Sequence, residues 1–421
     1  MKLLKVKEGR SMSEWQIMSL AKAGVELLDC VHKTPKAQSN GMPYISIPQM
    51  KNGELDPTDA RRISHGDFVE WTKKALPKRH DVVLSRRCNP GETAYVRGDF
   101  QFALGQNLVL LRSVGNHIAP EFLRWLVRSP GWWENIDKFR NVGAVFDSLR
   151  CADVPNFELL IPPLPEQQAI ARILSALDDK IELNRRMNET LEAITRAIFK
   201  DWFVDFGPTR AKQEGRAAYL PEHLWSLFPE AIDPETGIPT GWKLSRLDEL
   251  VVLQRGFDLP KSKRQNGNFP VIAASGFNGT HNEYMVEPPG VTTGRSGVLG
   301  KVFYIQEKFW PLNTSLWIKQ YIDTTPIYAY FLLQNIDFSS FNAGSAVPTL
   351  NRNHIHNLFV PKPNIEIIRE FSSLAENLFN LQYRNSKSSD DLADLRDRLL
   401  PKLMSGEIRV KDAEKLVEEA V

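Results

Sequence analysis

An α+β fold is expected, with two globular domains separated by two long antiparallel coiled-coil-like helices under a pseudo-twofold internal repeat. Three observations predict it. The chain matches itself at fixed offsets, each copy opens with short β-like runs broken by Gly, Pro and Asn turns, and each closes on apolar residues spaced by threes and fours. The expected boundaries are 1–162 for the first globule, 163–206 for a central helix, 207–240 for a linker, 241–362 for the second globule and 363–421 for a C-terminal helix and tail. At 421 residues the chain is too long for one core, so a division into domains is required on size alone.

The repeat is carried by apolar positions more than by identities. At an offset of 201, Gly143 meets Gly344, Leu149 meets Leu350, Val154 meets Ile355, Asn156 meets Asn357 and Pro162 meets Pro363. The same offset continues through Leu177 and Leu378, Asn184 and Asn385, Leu191 and Leu392, and Ile198 and Leu399. Upstream, Trp15 meets Trp242 and Pro43-Tyr44-Ile45 meets Pro270-Val271-Ile272 at an offset of 227, so the second copy is shorter by 26 residues, the difference between the two offsets.

Within the first globule, strands are predicted at Tyr44–Ile47, Val82–Ser85 and Leu108–Leu111; within the second, at Val271–Ala273, Val302–Ile305 and Leu316–Ile318. A short helix opens on Pro120 in one copy and on Pro326 in the other, since proline fits the first helical turn. The central helix starts at Pro165. Ile170, Leu174, Leu177, Ile181, Leu191, Ile194 and Ile198 form a seam interrupted by Asn184 and Asn188, as in coiled coils whose register is set by polar residues. From Pro165 to Lys200 such a helix spans about 54 Å. Phe199, Trp202, Phe203 and Phe206 share a face at its end, before Gly207-Pro208 stops it; they are expected to close the helix pair and to seat another protein. The matching C-terminal helix carries Phe371, Leu374, Leu378, Leu381, Leu392, Leu395 and Leu399. Its pattern thins between Arg384 and Asp391, and Pro401 is expected to break its last turn. The Pro- and Gly-rich residues 207–240 read as a linker.

Composition narrows the function. Hydrophobic content of 42% and charge of 25% are those of a soluble globular protein, and no apolar run reaches the length of a membrane span. The basic N-terminus lacks the apolar stretch of a secretory signal. Three distant cysteines, Cys30, Cys88 and Cys151, suit a reducing cytoplasm and offer no cysteine-based zinc site. Residues 1–162 hold 23 Lys and Arg against 18 Asp and Glu, whereas residues 363–421 hold 9 against 12, so the positive excess lies in the first globule.

No catalytic or metal constellation is expected. The Pro-Pro pairs at 162–163 and 288–289 lack the flanking residues with which amino-methylating DNA methyltransferases grip a base. The stretch GRSGVLGKV is similar to a phosphate loop, but its glycines are misplaced and Val302 stands where a hydroxyl is needed. HExxH, CxxC, GxSxG and GxGxxG are absent. His354 and His356 alternate on an expected strand in a structural role, and Asp178-Asp179 reads as a solvated helix face.

What remains is recognition chemistry. Lys73, Lys74, Lys78, Arg79, Arg86 and Arg87 surround one predicted strand and turn; Lys261, Lys263, Arg264, Arg295 and Lys301 gather in the second copy. Such residues neutralise phosphates and bond guanine edges, and Gly-rich turns let backbone approach a duplex. A single basic residue on a loop more often only solvates the surface, but a cluster in each copy points to DNA.

With these residues in view, the chain resembles the specificity subunits of type I restriction–modification systems. LLIPPLPEQQAIARILSALDDKIELNRRMNETLEAITRAIFKDWFVDFGPTRAK, FPEAIDPETGIPTGWKLSRLDEL and LRDRLLPKLMSGEI carry the likeness, which covers essentially the whole chain. The resemblance implies two target-recognition domains, each reading half of a bipartite double-stranded DNA sequence. It implies helices that set the gap and bind two methyltransferase subunits, with restriction–translocase subunits joining them. No cofactor is then expected on this chain; S-adenosylmethionine, ATP and Mg²⁺ would belong to the partners. The alternatives are a coiled-coil scaffold indifferent to DNA, or a methyltransferase or nuclease with an unrecognised site.

Overall fold

The computed structural model describes residues 15–143, 147–338 and 349–420; the basic N-terminus and Gly344 of the repeat match lie outside them. The chain forms two compact units. The first comprises residues up to Glu182 together with those from Ser388 onward, and the second comprises Leu183–Lys387.

In the first unit the elements run β1 (Gln16–Ser19), β2 (Val25–Leu28), β3 (Met42–Ile45), β4 (Met50–Lys51), β5 (Glu54–Leu55), β6 (Arg61–Ile63), α1 (His65–Thr72), β7 (Val82–Ser85), β8 (Thr93–Tyr95), β9 (Ala103–Leu104), β10 (Leu108–Ser113), α2 (Pro120–Leu126), α3 (Pro130–Phe139) and β11 (Glu158–Ile161), followed by the long α4 (Leu164–Phe199). The strand expected to reach Ile47 stops at Ile45. Pro48 has no N–H for a ladder, and a 3₁₀ turn, Ile47–Gln49, follows with Ser46 and Gln49 hydrogen-bonded across it.

The second unit repeats the plan. After α4 come two short helices, α5 (Gly207–Gln213) and α6 (Glu222–Trp225). The strands and helices that follow are β12 (Lys243–Arg246), β13 (Val251–Arg255), β14 (Phe269–Ala273), β15 (Gly276–His281), β16 (Gly290–Gly294), β17 (Val302–Ile305), β18 (Trp310–Pro311), β19 (Ser315–Tyr321), α7 (Pro326–Gln334), α8 (Arg352–His356) and β20 (Phe359–Lys362). The chain ends with α9 (Ile365–Met404) and α10 (Val410–Glu418).

Sheet topology makes the duplication concrete. One unit has sheets β2-β10-β7-β8 and β6-β3-β9 and a ladder β1-β11; the other has β13-β19-β16-β17, β15-β14-β18 and β12-β20. The register repeats at the two sequence offsets. Gln16 pairs with Ile161 and Lys243 with Lys362, one residue 227 and the other 201 positions on. In the small sheets, Tyr44 runs parallel to Ala103 and Val271 to Trp310.

The two long helices each serve both units, and within each unit they run antiparallel. In the first, Asp178 of α4 meets Arg396 of α9; in the second, Asn188 meets Gln382 and Asn385. Ile170, Leu174 and Leu177 bury against Leu392, Leu399 and Leu403, and α10 completes that core through Ala413 and Val417. Between Arg384 and Asp391, where the apolar pattern thins, α9 stays helical. The Asn188 side chain donates to the Gln382 carbonyl and Ser386 Oγ, so polar bonds replace apolar knobs.

Pro401 does not break α9. It sits in the last turn, where its missing N–H forfeits one bond, to the Asp397 carbonyl, and only three more helical residues follow, to Met404. Residues 207–240 are not a bare linker either. Phe228 and Ile238 are buried in the second core, and the Lys212 ammonium donates to the Phe228 carbonyl at 2.7 Å.

Candidate nucleic-acid interface and helix faces

Helix α1 is started by Ser64, whose hydroxyl accepts from the Asp67 N–H, and is anchored by Phe68. Its end presents Lys73 and Lys74 to solvent, with Lys73 pairing to Glu70. Lys78 and Arg79 follow on an exposed turn fixed by the Asp81 carboxylate, which accepts from the Lys78 N–H at 2.7 Å. Arg87 is exposed after β7.

Arg86, expected to contact DNA, is half-buried and held by neighbouring residues. Its guanidinium lies 3.0 Å from His32 Nδ1, and His32 Nε2 lies 2.9 Å from Asp29. Beside them the Cys30 thiol points at the Gly105 carbonyl, and burial, with Asp29 adding to it, pushes that thiol up to about 11. Asp29, Cys30 and His32 bring three ligand atoms within 4.8 Å of one another, yet a neutral thiol and a guanidinium at the imidazole both disfavour a cation there.

In the second unit Lys261, Lys263 and Lys301 are exposed, the first two on a 3₁₀ turn before β14. Arg264 and Arg295 serve the fold. Arg264 bonds the Asn278 carbonyl and side chain on β15, and Arg295 donates to the Asn313 carbonyl at 3.3 Å while its own carbonyl holds the Leu350 N–H. One residue that the sequence reading missed is Phe277, an exposed ring on β15 beside this basic turn. Its signal was a lone aromatic in the Gly-rich stretch GFNGT.

The aromatic stripe is the clearest correction. Phe199, Trp202, Phe203 and Phe206 are 1, 3, 5 and 8% exposed, so they have no face left for another protein. A π turn, Lys200–Val204, shifts the register at the end of α4 and sends both Trp202 and Phe203 into the core of the second unit. Phe203 meets Tyr328 edge-on at 4.9 Å, Trp202 meets Phe228 at 5.2 Å and Phe206 meets Trp242 at 5.6 Å. Phe206 adopts a left-handed backbone (φ 54°), and Gly207-Pro208 opens α5 instead of merely ending α4. A Cβ at 207 would overlap Asp201 Oδ1, so a side chain there would displace that carboxylate.

A different face is open. Leu183, Met187 and Ile194 on α4 are 53, 39 and 45% exposed, and Leu381 on α9 is 40% exposed. The seam buried in the first unit continues in the second through Asn184, Asn188 and Thr195, and Leu183, Met187 and Ile194 lie one position to its side, exposed.

Asp178 is not on a solvated face, whereas Asp179, 67% exposed, is. Asp178 is 5% exposed and is held by Arg124 of α2, itself 3% exposed, and by Arg396 of α9 at 2.6 Å. Asp179 takes Arg97 at 2.9 Å, and Arg97 also bonds Glu54. The second unit builds the same junction from rings. Tyr330, four residues into α7 as Arg124 is into α2, packs on Phe379, which lies 201 residues beyond Asp178. His354 and His356 lie on α8, not on a strand; Asn351 caps that helix, and His356 Nε2 accepts from the Leu253 N–H at 2.9 Å, a structural bond.

Residues 13–193 and 239–384 match the family model described as the type I restriction modification DNA specificity domain. The chain is 25% identical over 399 residues to the type I restriction enzyme MjaIX specificity subunit of Methanocaldococcus jannaschii, covering 88% of each. It is 26% identical over 419 residues to the type I restriction enzyme HindI specificity subunit of Haemophilus influenzae, covering 81% of this chain and 89% of that one. The crystal structure of a type I restriction–modification S subunit from M. genitalium shares the fold with a TM-score of 0.54 at 17% identity, covering 95% of this chain and 98% of that chain.

Proposed function

This chain belongs to the type I restriction–modification DNA specificity family, with two segments that match its domain, and from that premise we propose how its residues divide the work. It is a specificity subunit: each copy of the domain reads one half of a bipartite duplex sequence, and the long helices assemble the complex. The observation that carries this reading is the duplicated topology with its registers repeated at fixed offsets, since two similar readers joined in one chain suit two separated half-sites. Methylation, ATP hydrolysis and cleavage fall to partner subunits, which would also hold S-adenosylmethionine, ATP and Mg²⁺. The complex works in the cytoplasm, and among the described residues no helix is long and apolar enough to cross a membrane.

For DNA we assign the exposed cations Lys73, Lys74, Lys78, Arg79 and Arg87 in the first unit and Lys261, Lys263 and Lys301 in the second. Replacing Lys73, Lys74 and Lys78 together by Ala should weaken binding across sequences and reduce the slope of log affinity against log salt by up to about 3. Titration of the complex with labelled duplex at several salt concentrations measures this. An unaltered slope removes the loop from the interface.

For assembly, the half-exposed stripe of Leu183, Met187, Ile194 and Leu381 replaces the aromatic cluster as the proposed seat of a methyltransferase subunit. This stripe lies in the second unit and would seat one of the two such subunits that the family resemblance implies. Met187→Glu combined with Ile194→Glu should abolish co-purification of the methyltransferase while the chain's melting temperature holds. Retained assembly would move the seat elsewhere.

A further inference from the structure

We propose that a cleft in the first unit, bounded by the turn before β7, the end of β8, α2 and the first half of α4, binds a phosphate group. The cleft has a volume of about 300 Å³ and is lined by four guanidiniums, Arg79, Arg97, Arg124 and Arg172, against the carboxylates of Glu121 and Asp179. That volume sits at the lower end of small-ligand sites, room for one phosphate and part of what it is attached to.

The wall is built, not incidental. His80 holds a left-handed backbone (φ 73°), a conformation that costs a non-glycine residue free energy and persists only where surroundings impose it. The Val96 carbonyl takes its N–H at 3.0 Å, and Asp81, clamped by Arg112 at 2.6 and 2.8 Å, fixes the turn on its other side. Gly98 (φ 83°) lies against the Arg79 stem, and a Cβ there would come within 2.9 Å of Arg79 Cβ. Tyr95 forms a platform. The Arg124 guanidinium lies 4.0 Å from its ring centre, and its hydroxyl is 2.8 Å from His80 Nδ1. With that hydroxyl donating, Nε2–H is the donor left to the cleft. Burial, and then Arg79, hold the imidazole below its ordinary range, so it stays neutral.

One feature points to an anion. Arg124 is 97% buried, by its 3% exposure; Asp178 and Glu54 take its Nη2, while its Nε–H has no acceptor among the described residues. Guanidinium forks also match phosphate oxygens in geometry as well as charge. Asp179 is engaged by Arg97, which reduces its repulsion of an incoming anion. The second unit supplies the contrast. Tyr304 stands opposite Val291 as Tyr95 stands opposite Val82, but Gln306 and Tyr330 replace Arg97 and Arg124. Among the described residues, the arginine-lined cleft therefore belongs to the first repeat.

The phosphate could be a backbone phosphodiester of DNA or a free anion, and the test separates them. The full chain is titrated with inorganic phosphate by calorimetry at constant chloride. Saturable binding is expected, weakened at least about tenfold in Arg79→Gln and in Arg97→Gln. Arg79 is exposed, so its variant keeps the fold even where loss of the Arg97 ion pairs disturbs it. If the source is DNA, phosphate competes with duplex and Arg172→Gln, at a cleft residue outside the cations assigned to DNA, lowers the salt slope; if the source is a free anion, Arg172→Gln leaves duplex binding unchanged while phosphate binding is lost. Absence of saturable phosphate binding by the unaltered chain, or undiminished binding by Arg79→Gln, overturns the proposal. Because inorganic phosphate alone reads it out, its failure is distinct from a failure of DNA recognition.

Discussion

Asp178→Ala is expected to destabilise the first unit by about 3–5 kcal/mol, the range for breaking a buried ion pair from one side. Among the described residues Asp178 is the only anion from another helix that pairs with Arg396, and with Glu54 it neutralises the almost fully buried Arg124. Arg128 is also close: burial, and then Arg396, depress its guanidinium. Removing the carboxylate would leave two guanidiniums facing one another with a third nearby, in surroundings where water cannot repair the loss. A replacement of the whole set, Arg124→Met with Asp178→Leu and Arg396→Met, should cost far less, because all the buried charges leave together. The ring contacts at Tyr330 and Phe379 show that the equivalent junction can be apolar. Hydrogen exchange in the first unit, with the second as internal reference, measures both, since two units need not unfold as one transition. A loss under about 1 kcal/mol for the single variant would mean that the network contributes little, as most exposed pairs do.

Phe203→Ala is expected to cost the second unit about 3–5 kcal/mol, the usual range for emptying a ring site in a core. Its ring touches Phe199 at 5.1 Å, Tyr328 at 4.9 Å and Phe371 at 5.4 Å, joining the end of α4 to α7 and the start of α9. Truncation would open a void that three rigid helices cannot close. Phe203→Leu should recover much of the loss. Assembly with the methyltransferase would then fail only to the degree that the unit unfolds. Denaturant melting beside a pull-down decides the matter: stability kept with assembly lost would return the ring to a partner-facing role.

The parts of this architecture that the sequence revealed are those written in periodicity. Offsets of 201 and 227 between apolar positions became the pairings of Gln16 with Ile161 and of Lys243 with Lys362. The central helix, expected from Pro165 to Lys200, runs from Leu164 to Phe199. What stayed hidden depends on residues far apart in the chain. Asp178 looks solvated until Arg124, 54 residues away, and Arg396, 218 away, converge on it. Arg86 reads as one more loop cation because nothing local announces His32. His354 and His356 alternate as on a strand, yet an Asn351 cap suffices to start a helix there. The stripe at the end of α4 showed that rings share a face, but not what that face meets; periodicity signals burial without naming the neighbour.

The central claim is that this chain chooses the DNA sequence on which its complex acts. Its most direct measurement maps methylated adenines across the genome in cells carrying the chain with its methyltransferase partner, and again with the chain removed. A two-part motif with a constant unread gap, lost when the chain is absent, is the predicted result. Methylation that persists without the chain, or a motif read as one uninterrupted block, would contradict it.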